Sequence, residues 1–177
     1  LTAWLAPILC FTAEEAWLTR REDEADLPEK LVDTDSVHLR VIPEIPVQWS
    51  NAALADKWAD VFAVRRVIST ALEPMRQEKT IGSSLQAAPR VFLSPDKAAA
   101  LADVDFTEVA IVSGVKIETG EGPADAVRVE DIAGVAVTPQ LAAGEKCQRC
   151  WQVLPEVSTH PDHLCARCDV AVAGTGA

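Results

Sequence analysis

Four cysteines near the C-terminus carry the densest chemistry in the chain. Cys147 and Cys150 form one C-x-x-C pair, Cys165 and Cys168 a second, and 14 residues separate the pairs. In each pair both thiolates can face one cation while backbone N–H groups point back at the sulfurs. Two such turns supply the four tetrahedral ligands of a closed Zn²⁺ site. The spacer lies one residue below the usual window of roughly 15–20 for this pattern. With four protein sulfurs as ligands, no position stays open for water or substrate, so the expected metal is structural. Disulfides and a redox dithiol are the competing readings. Nothing in the chain resembles a secretory leader, and no βαβ context surrounds residue 147. His160 and His163 lie between the pairs and offer a second-choice ligand exchange. The fifth cysteine, Cys10, stands alone in an apolar stretch and reads as a small core residue rather than a reactive thiol.

The elements that must position these residues follow from the rest of the sequence. The 177 residues suit one or two small domains, and 49% are apolar, enough for a sizeable core. No apolar run approaches the roughly 20 residues needed to cross a membrane. The chain starts at Leu1 and holds one methionine, Met75, so it reads as a piece of a longer protein. Four thiolates with one Zn²⁺ would add two negative charges to a formal net charge of −11. Taken alone, that balance argues against a nucleic-acid partner. The signs are unevenly spread. Seven acids fall within residues 22–35, which read as a solvated loop. Residues 65–97 instead hold six bases against three acids, a strip that could track a phosphate backbone.

Residues 1–20 read as helix, broken near Leu5–Leu9 by Pro7 and restarted at Thr12 by the capping box Thr12-Ala13-Glu14-Glu15. Val37–Ile42 reads as a short extended run, and Pro43 and Pro46 enforce an extended link into Trp49. Ser50 or Asn51 caps the longest helix, roughly 52–80, with the apolar stripe Leu54, Trp58, Val61, Ile68, Leu72 and Met75. Arg65 falls within that stripe. It reads as a buried arginine paired with an acid, or as one that orders a site between helices. Pro74 should kink or split the helix, and Gly82 is the expected left-handed stop. Beyond it, Arg90–Leu93, Val109–Val112, Val115–Glu118, Ala126–Glu130 and Val135–Thr138 are strand candidates, and Asp96–Ala102 a short helix. The predicted fold is mainly α with a small α+β unit. Residues 1–85 form a helical bundle, 86–140 a short-strand module and 141–177 the zinc knuckle. Phosphate-loop and dinucleotide glycine motifs are absent, and no Ser/His/Asp grouping stands out.

Several of these motifs together resemble the C-terminal part of bacterial isoleucyl-tRNA synthetase. Pro7-Ile8-Leu9 with Phe11-Thr12-Ala13-Glu14-Glu15-Ala16-Trp17 is similar to a helix motif of that family's anticodon-binding bundle. Val64-Arg65, Leu72-Glu73 and Arg76, then Ile81-Gly82-Ser83-Ser84-Leu85-Gln86-Ala87, resemble its long helix and the turn after it. Lys146-Cys147-Gln148-Arg149-Cys150-Trp151 and Leu164-Cys165-Ala166-Arg167-Cys168 resemble its terminal zinc finger. The finger motif is shared with formamidopyrimidine-DNA glycosylases, and the helical motifs break that tie. The resemblance implies a class I ligase that joins isoleucine to its tRNA with ATP in the cytoplasm. Its HIGH- and KMSKS-type signatures do not occur here, and Lys79-Thr80-Ile81-Gly82-Ser83-Ser84 is no substitute. The implied role is therefore to hold the anticodon stem and loop, while catalytic and editing domains lie elsewhere in the polypeptide.

The implied RNA contacts are Arg65, Arg76 and Lys79 on one face of a continuous long helix, and Lys146, Arg149, Trp151 and Arg167 at the knuckles. Each has a structural alternative. The helix bases could pair with Glu73 and Glu78. The knuckle bases could offset thiolate charge. Trp151 could stack an anticodon base or fill the core of a module too small to bury much else. Two other classes stay open: a DNA-repair finger, and a module that docks only on its own protein.

Overall fold

The computed structural model describes residues 1–20, 36–42 and 44–174. The acidic run 22–35 and Pro43 lie outside the described residues, and so do the expectations placed on them. The chain divides into two compact units, Leu1–Asn51 and Ala52–Ala177.

In the first unit, α1 (Thr2–Leu5) and α2 (Cys10–Arg20) flank the break expected at Pro7. The second helix starts at Cys10, not Thr12. Leu9 accepts the first turn's bond from Ala13 N–H at 2.8 Å, so Thr12 is already helical and no capping box forms there. Glu14 instead reaches across the chain: its Oε2 accepts from Val37 N–H at 2.8 Å and from Ser36 Oγ at 3.0 Å. That anchor turns Val37–Leu39 into a 3₁₀ turn, where an extended run was expected. Ala6, Ala13, Trp17 and Val37 are buried together. Cys10 is exposed, contrary to the core assignment, because α2 turns its buried face through Ala13 and Trp17.

The second unit is built on α3 (Ala52–Gln77). Val61, Val64, Val67, Ile68, Ala71 and Leu72 form its buried stripe. A fully buried Ile or Leu side chain contributes about 1.5–3 kcal/mol, so Ile68 and Leu72 anchor the helix. The stripe does not extend to the helix start, where Leu54 and Trp58 are 50% and 40% exposed. Arg65 lies beside the stripe and is exposed. Its Nε donates to the Val109 carbonyl at 2.9 Å, and it is neither buried nor paired with an acid among the described residues. The helix runs through Pro74 and is not split. It ends because Lys79, not Gly82, takes the left-handed conformation with φ 59°, after which Thr80 N–H closes back on the Met75 carbonyl at 2.9 Å.

A three-stranded sheet packs beneath α3. Its order is β2 (Lys116–Thr119), β1 (Arg90–Leu93), β3 (Val135–Thr138), with β1 parallel to β2 and antiparallel to β3. The parallel pair needs a crossover, and α4 (Pro95–Ala100) and α5 (Phe106–Ala110) supply it. Val109–Val112 is therefore not a strand. Asp105 caps α5 by accepting from Thr107 N–H at 2.8 Å, Phe106 and Ala110 bury one face, and Ile111 closes the helix at φ 55°. Ala126–Glu130 is also not a strand, since only Val127 bridges to Val137. The Arg128 guanidinium gathers that segment into a loop by donating to the carbonyls of Glu121, Pro123 and Ala126 at 2.7–3.0 Å.

Ion pairs brace the edges. Glu118 accepts two bonds from Arg90, at 3.0 and 2.9 Å, and Asp103 two from Lys57, both at 2.6 Å. These hydrogen bonds hold both carboxyls below their usual range. A carboxyl depressed on folding contributes stability above its unfolded value, and that contribution is lost as pH falls through the folded value. Urea denaturation should therefore show stability falling as pH drops below about 4.5, with a smaller drop in Glu118→Gln. An unchanged drop in the variant would show that this pair does not contribute.

Candidate zinc and nucleic-acid site

The finger is a β-hairpin followed by a helix. β4 (Glu145–Lys146) pairs antiparallel with β5 (Val153–Leu154), and the first knuckle forms the tip between them. The second knuckle leads into α6 (Ala166–Gly174), which carries Cys168 in its first turn. Gly144 makes the hairpin's entry possible. Its φ is 109°, and an added Cβ would sit 2.3 Å from the Leu154 backbone. The knuckles are tied together by Gln148 N–H donating to the His163 carbonyl at 3.0 Å.

All four sulfurs lie within 4.8 Å of one another. A tetrahedron with Zn–S near ~2.3 Å places its sulfurs roughly 3.8 Å apart. The Cys150–Cys165 separation of 3.7 Å fits that spacing and is too long for a disulfide. Cys147, Cys165 and Cys168 are buried, with Val157 packed against them. Burial pushes the Cys147 thiol up, but N–H groups of Cys150, Cys165 and Arg149 more than offset it and hold Cys147 at about 6. Cys165 goes the other way: burial, with its sulfur neighbours, pushes it up to about 12. Four thiolates this close repel one another strongly unless a cation lies between them. The residues therefore fit one structural Zn²⁺, which when bound cross-links the knuckles and neutralises the sulfur charge. The histidines are engaged elsewhere. His160 Nδ1 accepts from Asp162 N–H at 3.2 Å, and His163 Nδ1 lies 3.2 Å from Glu145.

The sequence-named basic residues separate into two groups. Arg149 Nη1 donates to Cys168 Sγ at 3.8 Å, and Arg167 Nη1 to Glu108 Oε1 at 2.9 Å. Both knuckle arginines thus turn toward the protein. The Arg167 guanidinium is held above its usual value, first by its bond to Cys150 and then by the Glu108 charge. Arg76 pairs with Glu73 at 3.1 Å, and Arg65 holds the end of α5. Because α3 stops at Gln77, Lys79 does not share its face. Lys79 makes no ion pair among the described residues.

Lys146 and Trp151 are brought together. Trp151 is 59% exposed, so the core assignment fails, and its backbone is left-handed at φ 68°. Lys146 Nζ lies 4.9 Å over its ring centre. These two side chains line a cleft of about 250 Å³ whose opposite wall is Gly82, Ser83, Leu85 and Gln86. Sequence reasoning did not assign that wall to the site, although Ser83-x-x-Gln86 has the capping-box pattern and forms one here. It also missed Ser113. That buried hydroxyl donates to the Leu85 carbonyl at 2.5 Å and accepts from Val153 N–H at 2.7 Å, tying turn to finger. A larger hollow of about 520 Å³ near Ser94 and Arg128 offers less, since Arg128's donors are spent on carbonyls.

The helical first half of the chain carries the pattern of an anticodon-binding domain of tRNA ligase. The chain belongs to that family: residues 1–91 match the anticodon-binding domain of tRNA ligase, and residues 144–170 match the zinc finger found in FPG and IleRS. Among individual proteins it is similar to isoleucine–tRNA ligases. That of Agrobacterium fabrum is 45% identical over 164 residues, covering 92% of this chain and 16% of the relative. That of Ruegeria pomeroyi is 45% identical over 174 residues, covering 97% and 17%. That of Mesorhizobium japonicum is 46% identical over 166 residues, covering 91% and 16%. The chain therefore spans about one sixth of the length of these relatives. Among the described residues no helix is long and apolar enough to cross a membrane.

The purified chain should contain one zinc per molecule by elemental analysis. Chelation should raise amide exchange across 145–174 while leaving Val64–Leu72 and β1 protected. Cys165→Ser should lose the metal with the same exchange pattern. Equal deprotection of α3 would show that the finger and sheet do not unfold separately.

Proposed function

We propose that this chain is the tRNA-binding, C-terminal part of an isoleucine–tRNA ligase, and that its partner is the anticodon stem and loop of isoleucine tRNA. On this reading the catalytic and editing domains, and the use of ATP to join isoleucine to its tRNA, belong to the rest of a cytoplasmic polypeptide. Residues 1–85 serve as the end of the anticodon bundle, 86–140 as a junction and 141–177 as the finger.

The observation that carries the reading is Trp151. A bulky side chain in left-handed backbone costs of order 1 kcal/mol or more, and strain of that kind collects at functional positions. Here it holds an open indole beside a lysine on a metal-braced hairpin. RNA sequence is read mainly where unpaired bases can stack on such surfaces. Lys146 supplies the phosphate attraction, and Lys79 adds a second exposed cation. Arg65, Arg76, Arg149 and Arg167 are proposed as supporting contacts only, since each already holds a protein partner. Those inward bonds favour a second reading, in which the finger merely docks on its own protein. A DNA-repair role leaves the match over residues 1–91 unexplained.

Titration of the zinc-loaded chain against an isoleucine anticodon stem-loop at two salt concentrations tests this. Trp151→Ala should weaken binding by about 1–3 kcal/mol, the usual worth of one base stacked on an aromatic ring. Lys146→Gln should weaken it less and flatten the salt dependence. Undiminished binding by Trp151→Ala, or equal affinity for a damaged DNA duplex, would refute the proposal.

A further inference from the structure

We infer that Gln86 is a specificity-determining residue: its side-chain amide presents a fixed hydrogen-bond donor to a base stacked on Trp151, and so selects a ring oxo group over an amino group. This rests on the anticodon-binding reading and sharpens it.

Gln86 Oε1 accepts from two backbone N–H groups, Gly82 at 2.6 Å and Ser83 at 3.1 Å. Two converging donors require the oxygen on that side, which settles the orientation of the amide. Its acceptor is thereby spent, while Nε2 has no hydrogen-bond partner among the described residues. The group that remains is a donor only. Gln86 lines the same cleft as Trp151 and Lys146, a space of about 250 Å³.

The walls of the cleft are held at a set separation. Ser113 bonds the Leu85 carbonyl on one side and Val153 N–H on the other. Ala142 N–H donates to the Gln86 carbonyl at 2.8 Å, and Ala87 bridges to Leu141. A base stacked on Trp151 therefore meets a donor in a fixed place. Lys146 adds a second donor and no acceptor. At the position where guanine carries its C6 oxo group and uracil its C4 oxo group, adenine and cytosine carry an amino group, which would face donor to donor.

The test uses the zinc-loaded chain and anticodon stem-loops in which one loop base at a time has its oxo group exchanged for an amino group: guanine for 2,6-diaminopurine, uracil for cytosine. One exchange should weaken binding by about threefold to tenfold, the worth of one hydrogen bond, and the others far less. Gln86→Glu keeps an oxygen for Gly82 and Ser83, so the capping box and melting temperature should survive. Its outward group becomes an acceptor, and the oxo preference at that one base should vanish or reverse. A flat exchange series in the unmodified chain, or an unaltered preference in a folded Q86E, overturns the inference. If Trp151→Ala still weakens binding in that case, anticodon binding stands and only the role of Gln86 falls. If no stem-loop binds, both fall.

Discussion

Four sulfurs held within 4.8 Å form the constraint on which the finger, residues 144–174, depends. Apart from the cysteines, the finger's buried cluster is Val157 with the half-buried Leu154 and Leu164, far too little to fold alone. Backbone N–H groups of Cys150, Cys165 and Arg149 favour the Cys147 thiolate, and a divalent cation would neutralise the four sulfurs as a set. The hairpin tip, the left-handed Trp151 and the start of α6 all hang on that cross-link.

With a net charge of −11, the chain can offer cationic surface only in local patches. Most bases in the strip from 65 to 97 are already neutralised: Arg66 by Asp131, Arg76 by Glu73, Arg90 by Glu118, and Lys97 by Asp60. The exposed pairs among them, Arg66–Asp131 and Arg76–Glu73, add little stability. Among the described residues Lys79 and the cleft-lining Lys146 make no ion pair.

How much was legible in the sequence follows from where the deciding interactions lie. The cysteine spacing, the long helix, β1 and β3 were readable because local pattern and tertiary role agree. Val109–Val112 looked like a strand by composition, but the Asp105 cap and the Arg65 bond to the Val109 carbonyl make it a helix end. Val37–Ile42 failed for a similar reason, since Glu14, more than twenty residues away in sequence, dictates its turn. The stop after α3 went to Lys79 although a glycine stood three residues on, because φ preference alone does not say where the buried stripe runs out. The cleft was half legible. Lys146 and Trp151 were named, but Ser113 joins segments that are 28 and 40 residues from it, and no spacing rule reaches that far.

The capping box at Ser83–Gln86 also bears on rates. An amide locked during folding has no rotamers to search when a partner arrives, and it cannot turn over to flatter a mismatched one. Discrimination of this kind appears in how quickly a wrong partner leaves rather than in how quickly the right one arrives. On the proposed reading, a rigid turn that rejects by rapid release would keep the time lost on each wrong encounter short.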